Sequence, residues 1–209
     1  MDFLFIIIIL IMSVIIHEVA HGYAALALGD PTAKYENRLT LNPLSHIDPI
    51  GSVMVHLMGY FLGGFIIGWA KPVPFNPYNL KPERFGLPAR AGEALVALAG
   101  PLSNIGIAVI FGIMIRLTPT PLNSNAAFIE LAGYVVLINI TLAIFNLIPL
   151  PPLDGSKILF AILPYSWYKI REFLEQFGIV FVLIFVFFVW QIMGPIINDL
   201  FRLFTGIAF

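Results

Sequence analysis

The chain alternates between long apolar runs and short polar stretches rich in proline. Residues 3–28 are almost wholly apolar, and a helix of that length extends about 39 Å, enough to cross a bilayer with some tilt. Three further apolar runs of helical length cover roughly residues 91–116, 127–148 and 176–205. The pattern predicts an all-α polytopic membrane protein with about four transmembrane helices.

A fifth apolar run, at residues 50–70, allows two paths. It has the length of a span, but glycines interrupt it. If it enters the membrane and returns, nine Lys and Arg residues lie on one side and only Arg116 and Arg202 on the other. If it crosses, the basic residues divide less sharply. Because cytoplasmic loops collect Lys and Arg, we favour the re-entrant path, with the basic side facing the cytoplasm. Such a path needs its non-helical backbone buried in protein.

Two polar stretches flank this run. Residues 33–41 alternate charged or polar side chains with Tyr35 and Leu39, which favours a short strand. Residues 70–78 are interrupted by prolines. We expect short β-strands or loops at both places.

The composition supports a membrane setting. Of 209 residues, 59% are hydrophobic and 11% charged, and the mean hydropathy is +0.94. Soluble domains are about one quarter charged. The net charge of −1 gives no reason to expect a nucleic-acid partner, and it leaves the oligomeric state open. The absence of cysteine excludes disulfides and thiolate metal ligands.

The first apolar run is expected to be retained rather than cleaved as a signal peptide. It begins Met1-Asp2 without a basic region, and no small-residue cleavage site ends it. We therefore expect a single integral-membrane domain over residues 1–209.

The first helix carries the strongest candidate chemistry, the sequence His17-Glu18-Val19-Ala20-His21. The four-residue spacing places both imidazoles on one helix face, one turn apart, where they can share a metal ion. Glu18 points to the side, placed to take a proton from water rather than to bind the metal. Such residues are costly within a membrane helix unless they face partners inside the protein. The alternative is a pair of hydrogen-bonded core histidines.

A third ligand is predicted from the end of another apolar run, which reads Asn146-Leu147-Ile148-Pro149-Leu150-Pro151-Pro152-Leu153-Asp154-Gly155. Asp154 could belong to a plain helix stop. However, two neutral histidines and one carboxylate, with a fourth position left for water, are a common catalytic zinc set. We therefore predict one catalytic zinc ion held by His17, His21 and Asp154.

Taken together, the motifs resemble the site-2 proteases, which are intramembrane zinc metalloproteases. The H-E-x-x-H and N-x-x-P-x-P-x-L-D-G patterns are joined by a G-P-x-x-N element at Gly100, Pro101 and Asn104. All three occur in the family's order and span residues 16–155. The proline-rich loops look like the compact prokaryotic branch, so we expect no inserted PDZ module and no CBS pair.

The resemblance implies both an activity and roles for individual residues. Glu18 would be the general base, and Asn104 and Asn146 would contact the substrate backbone. The expected protein is a multi-pass cell-membrane endopeptidase, with the lipid bilayer around it and a transmembrane protein or peptide as substrate. Cleavage would occur near the cytoplasmic face, as in regulated intramembrane proteolysis.

Two other functions fit part of the sequence. A metal-binding membrane transporter or channel would also place His and Asp among broken helices, but it does not require Glu18 beside His17. A non-proteolytic scaffold is disfavoured because every expected ligand is present. We expect His46 to be a loop histidine bonded to backbone and His56 to bond a neighbouring helix, neither being a zinc ligand.

Overall fold

The computed structural model describes residues 2–46, 71–118 and 126–207. Over these ranges the α-helices, in chain order, are α1 (Asp2–Ala27), α2 (Thr32–Tyr35), α3 (Ala91–Leu117), α4 (Ala126–Asn146), α5 (Asp154–Ile162), α6 (Tyr168–Ile184) and α7 (Trp190–Thr205). Short 3-10 turns lie at Pro43–His46, Pro77–Asn79, Pro82–Phe85 and Tyr165–Trp167, and a π-helical turn, Phe185–Val189, joins α6 to α7.

The predicted all-α class is confirmed for the described residues. Helices α1, α3 and α4 are long and apolar enough to cross a membrane, and α6 with α7 forms a fourth candidate bent by 76°. The C-terminal run was expected as one helix over residues 176–205, but it begins earlier and is broken. Its first turns contain charged residues, so a search for apolar runs does not include them. Within these turns Arg171 and Glu175 form a helix-stabilising i,i+4 ion pair at 2.8 Å. The π-helical turn accounts for the bend.

The expectation was a short strand or a loop at each polar stretch. Over the residues that the structure describes, neither stretch forms a strand. Helix α2 extends into the first stretch as far as Tyr35, and Arg38 N then donates to Ala33 O at 2.9 Å, closing a turn. In the second stretch Pro72 and Pro74 carry no N–H, so a regular strand ladder is not available to them. The predictions for residues 50–70 and for His56 lie outside the described residues.

The described core is a packed set of α3, α4 and α7, with α1 against it. Its buried cluster consists of Ala108, Ile115, Ala132, Val136, Ile140, Ile197 and Phe201. Asn139, fully buried on α4, donates to Ser13 Oγ on α1 at 2.9 Å. Small residues and such interhelical hydrogen bonds are the usual means by which membrane helices associate.

The two ends of the bundle differ in character. At one end, Ala25 in the last turn of α1 and Leu28 just after it pack against Val96 near the start of α3. Lys81 N donates to Leu28 O at 2.8 Å, so the C-terminal end of α1 and the N-terminal end of α3 lie at the same level. At the other end, Arg116 donates to the carbonyl oxygens at the end of α7. The described polar segments therefore gather at the end nearer the H-E-x-x-H motif.

Asp30, just after α1, is a fully buried carboxylate that joins two of these segments. It accepts hydrogen bonds from Thr32 Oγ1 at 2.6 Å, Asn76 N at 2.6 Å and Asn79 Nδ2 at 2.9 Å. Burial raises the pKa of Asp30, but the hydrogen bonds from Thr32, Asn79 and Asn76 outweigh it and leave the pKa below its usual value.

We expect Asp30 to make stability depend on pH on the acid side. Since its folded-state pKa is lowered, its stabilisation is complete above the unfolded-state pKa of about 3.9 and is lost as the pH falls through the lowered value. Thermal unfolding in detergent from about pH 6 to about pH 2 should therefore show a smaller drop in Tm for Asp30→Asn than for the wild type. The exposed Glu36→Gln serves as control and should follow the wild type. Equal drops in all three proteins would contradict the assignment.

Candidate metal centre

The two histidines of α1 face the interior of the bundle. His17 and His21 are 5% and 8% exposed, and their Nε2 atoms lie 3.0 Å apart. The rings meet edge to face, with centroids 4.6 Å apart. One turn of helix thus aims two imidazole nitrogens at the same point.

Asp154, the first residue of α5, completes the group. Its Oδ2 lies 3.0 Å from His17 Nε2 and 3.1 Å from His21 Nε2. The next residue, Gly155, has no room for a side chain, because a Cβ there would collide with the carbonyl oxygens of Leu147 and Ile148. The glycine therefore lets α5 begin directly against the end of α4, which brings the carboxylate to the histidines.

The chemistry of this donor set fits a zinc ion. His21 Nδ1 lies 2.7 Å from Val96 O, which can only accept, so Nδ1 carries the proton and a neutral His21 has its lone pair on Nε2. Asp154 adds a carboxylate oxygen within 3.0–3.1 Å of both Nε2 atoms, which completes a set of two imidazoles and one carboxylate. Zinc bonds of about 2.0–2.1 Å at tetrahedral angles would separate ligand atoms by about 3.3 Å. The observed 3.0–3.1 Å is close to that separation.

Gly100 on α3 closes the group from the other side. A Cβ at this position would lie 2.5 Å from His21 Cε1 and 2.6 Å from His17 Cε1. The glycine of the G-P-x-x-N element therefore lets α3 pack directly on both imidazoles. The sequence hinted at this contact only through a glycine placed inside a helix, where it costs stability.

Glu18 lies beside the histidines in a cavity of about 180 Å³. Its Oε2 accepts a hydrogen bond from Val73 N at 2.9 Å. The cavity wall also includes His17, His21 and Asp154, together with Asn146, Lys157 and part of the segment after residue 70. The cavity therefore brings together the three potential metal ligands and one further carboxylate.

The remaining candidate residues occupy different places. Asn146, the last residue of α4, lines the cavity and donates from Nδ2 to Leu142 O at 3.0 Å. Asn104 is fully buried on α3, its Nδ2 lacks a partner among the described residues, and it is not part of the described cavity wall. His46 is buried, with Nε2 2.8 Å from Thr40 O, which confirms the expected backbone-bonded loop histidine.

Comparison with known proteins decides the family. The model of peptidase family M50 matches residues 121–189. A Bacillus subtilis protein named "Putative zinc metalloprotease YwhC" is 34% identical over 214 residues, an alignment that covers 97% of this chain and 92% of the relative. The chain belongs to peptidase family M50. This membership confirms the resemblance to site-2 proteases and the prediction of a zinc metalloprotease.

Two longer proteins are also similar. "Putative zinc metalloprotease Rip2" of Mycolicibacterium smegmatis is 31% identical, over 69% of this chain and 52% of its own length. "Zinc metalloprotease MJ0392" of Methanocaldococcus jannaschii is 28% identical, over 87% of this chain and 41% of its own length. No solved structure matches the chain.

Proposed function

We propose that the chain is an intramembrane endopeptidase that uses one zinc ion to hydrolyse peptide bonds of transmembrane substrates near the cytoplasmic face, in regulated intramembrane proteolysis. The observation that carries the proposal is the convergence of Asp154 with His17 and His21 of the candidate membrane span α1, beside Glu18. His17, His21 and Asp154 are the proposed ligands, and Glu18 is the proposed general base.

The chemistry follows from these residue types. A zinc ion bound there would polarise the scissile carbonyl and make the attacking water more acidic. Glu18 takes the proton from that water and passes it to the leaving amine. Val73 N donates to Glu18 Oε2. The other carboxylate oxygen, Oε1, accepts no hydrogen bond from the described residues and can take the proton.

The position of the site along α1 supports cleavage near one membrane surface. His21 lies six residues before the end of α1, which is about 9 Å along the helix axis. That end also carries the described polar segments, whereas Arg116 and Arg202 belong to the opposite ends of α3 and α7. By the positive-inside rule, the site lies toward the cytoplasm in a cell membrane.

Substrate binding is proposed to involve the two asparagines. A transmembrane helix satisfies its own amides, so a substrate must unwind locally before its peptide bond can reach Glu18. Asn146 on the cavity wall supports a contact with the released backbone. Asn104 lies one turn of α3 beyond Gly100. Its amide has no hydrogen-bond partner among the described residues, and we assign it a contact that forms when the substrate is bound.

Removal of zinc should stop the reaction. We expect the purified protein in proteoliposomes to cleave a transmembrane reporter, to lose this activity on chelation and to regain it with about one equivalent of zinc per chain. Metal content measured by mass spectrometry, alongside product formation, checks the expectation. Undiminished cleavage by the metal-free protein would overturn the proposal.

A metal transporter is the second candidate, favoured by the broken helix pair α6 and α7. It predicts zinc flux into vesicles carrying the protein, which a protease does not. Flux without reporter cleavage would support the transporter. Absence of both flux and cleavage would support a scaffold.

A further inference from the structure

A segment that contributes no candidate ligand lies against the proposed general base. We call residues 71–79 the strap. Pro72, Val73 and Phe75 of the strap line the same cavity as the proposed metal ligands. Val73 N donates to Glu18 Oε2 at 2.9 Å, and no other hydrogen bond to this carboxylate occurs among the described residues. The orientation of Glu18 therefore depends on where the strap holds one backbone amide.

Arg38 anchors the strap just before this amide. Its side chain is buried, with 5% exposure, and Nη2 donates to Lys71 O at 2.6 Å and Pro72 O at 3.4 Å. Within the described chain, no carboxylate oxygen lies within 4.0 Å of the guanidinium. Since a buried charge is costly unless it is hydrogen-bonded, the two strap carbonyls stabilise the Arg38 side chain in this position.

Asp30 anchors the strap just after the same amide. Asn76 N donates to Asp30 Oδ2 at 2.6 Å, and Asn79 Nδ2 donates to Oδ1 at 2.9 Å. Charge-assisted hydrogen bonds of this kind are about twice as strong as neutral ones. Only Val73, Pro74 and Phe75 lie between the residues bound by Arg38 and the first residue bound by Asp30.

The side chain of Val73 locks the strap against α1. A Cβ at Gly22 would lie 2.8 Å from Val73 Cγ1, so this glycine lets the valine approach the helix one turn after Glu18. The position of the Val73 amide is thus fixed by the buried charged side chains of Asp30 and Arg38 and by one close contact with α1.

We propose that Asp30 and Arg38 are positioning residues that hold the strap so that the Val73 N–H aligns Glu18 for proton transfer. The inference rests on the proposed function of Glu18 as general base. Neither side chain is part of the described cavity wall, and both act through the strap rather than on the reacting groups. Because misplacing a reacting group by about 1 Å can lower a rate about 100-fold, release of the strap should reduce kcat more than it changes KM.

Variants of the two anchors test the inference in the full-length protein reconstituted with a transmembrane reporter. Asp30→Asn and Arg38→Met should lower kcat by about 10-fold or more, change KM by less than about threefold and keep the zinc content of the wild type. Arg38→Lys, which can still donate to the carbonyls, should recover part of the loss. Glu36→Gln and Lys34→Met change exposed charges of the same polar segment and should match the wild type.

Hydrogen–deuterium exchange gives a readout separate from activity. Amides of the strap should exchange faster in Asp30→Asn and Arg38→Met than in the wild type or the two controls. Wild-type kcat in an anchor variant whose strap exchanges faster would overturn the inference.

The amide itself can be removed if an anchor variant fails to fold. Val73→Pro deletes the donor, whereas Val73→Ala keeps it while shortening the side chain. We expect kcat to fall in the proline variant well below that of the alanine variant, with zinc retained in both. Equal kcat in the two variants would overturn the inference. Loss of activity in Glu18→Gln together with unchanged kcat in all strap variants would reject only the role of the strap, whereas an active Glu18→Gln would reject the proposed base.

Discussion

Replacing Glu18 with glutamine is expected to abolish cleavage of a transmembrane reporter while the protein keeps its zinc. Glutamine has the same size as glutamate, and its side-chain oxygen can still accept the hydrogen bond from Val73 N, which the wild type makes at 2.9 Å. It cannot take a proton at neutral pH. General acid–base catalysis contributes about 10²–10⁴-fold, and we expect kcat to fall by about 10³-fold.

The matched control is Glu130→Gln, which removes an exposed carboxylate from another candidate span, α4. This variant should retain wild-type kcat and zinc. Product formation by gel and mass spectrometry, together with metal analysis, measures both quantities. A fully active Glu18→Gln protein would show that another group accepts the proton.

Gly100→Ala is expected to destroy the metal centre without touching a ligand. The added methyl group would lie 2.5–2.6 Å from carbon atoms of both imidazoles. A shift of the rings or of α3 that relieves this contact would alter the positions of the two Nε2 atoms relative to Asp154 Oδ2, so we expect loss of bound zinc and a fall in activity of at least about 100-fold. Intrinsic helix propensity favours alanine over glycine by about 1 kcal/mol, so the loss would not arise from a weaker helix.

Gly106→Ala on the same helix is the control, because among the described residues no atom beyond its chain neighbours and the adjacent helix backbone lies within 4 Å of a Cβ at that position. It should bind zinc and cleave the reporter like the wild type, with equal or higher thermal stability. Measuring zinc content and Tm for both variants separates the local contact from a general effect on α3. Wild-type zinc content in Gly100→Ala would contradict the packing described here.

The sequence predicted the spans better than the elements between them. Long apolar runs need a membrane or a core, and α1, α3 and α4 follow the predicted runs closely. The start of helix α6 was not predicted because its first turns are polar. Helix α5 was not predicted because it is only nine residues long and lies between proline-containing segments. Residues 33–41 alternate like a strand, yet local turn hydrogen bonds and the buried Arg38 determine their path.

The candidate metal ligands could be chosen from the sequence because their chemistry is local. Spacing alone places His17 and His21 on one face, and few side chains other than Asp154 could complete a zinc set near an apolar helix end. The support around them could not be predicted. Val73 acts through its backbone N–H, which every residue except proline has, and Gly100 acts through the absence of a side chain.

The central claim is that this chain hydrolyses a peptide bond within the membrane near its cytoplasmic face. The most direct test incubates the zinc-loaded protein with a transmembrane reporter in proteoliposomes prepared in H₂¹⁸O, followed by mass spectrometry of both fragments. We predict one main cut inside the apolar segment of the reporter near its cytoplasmic end, with ¹⁸O in the new carboxyl group, and no product with Glu18→Gln. An uncut reporter, or cuts confined to its soluble flanks, would contradict the account.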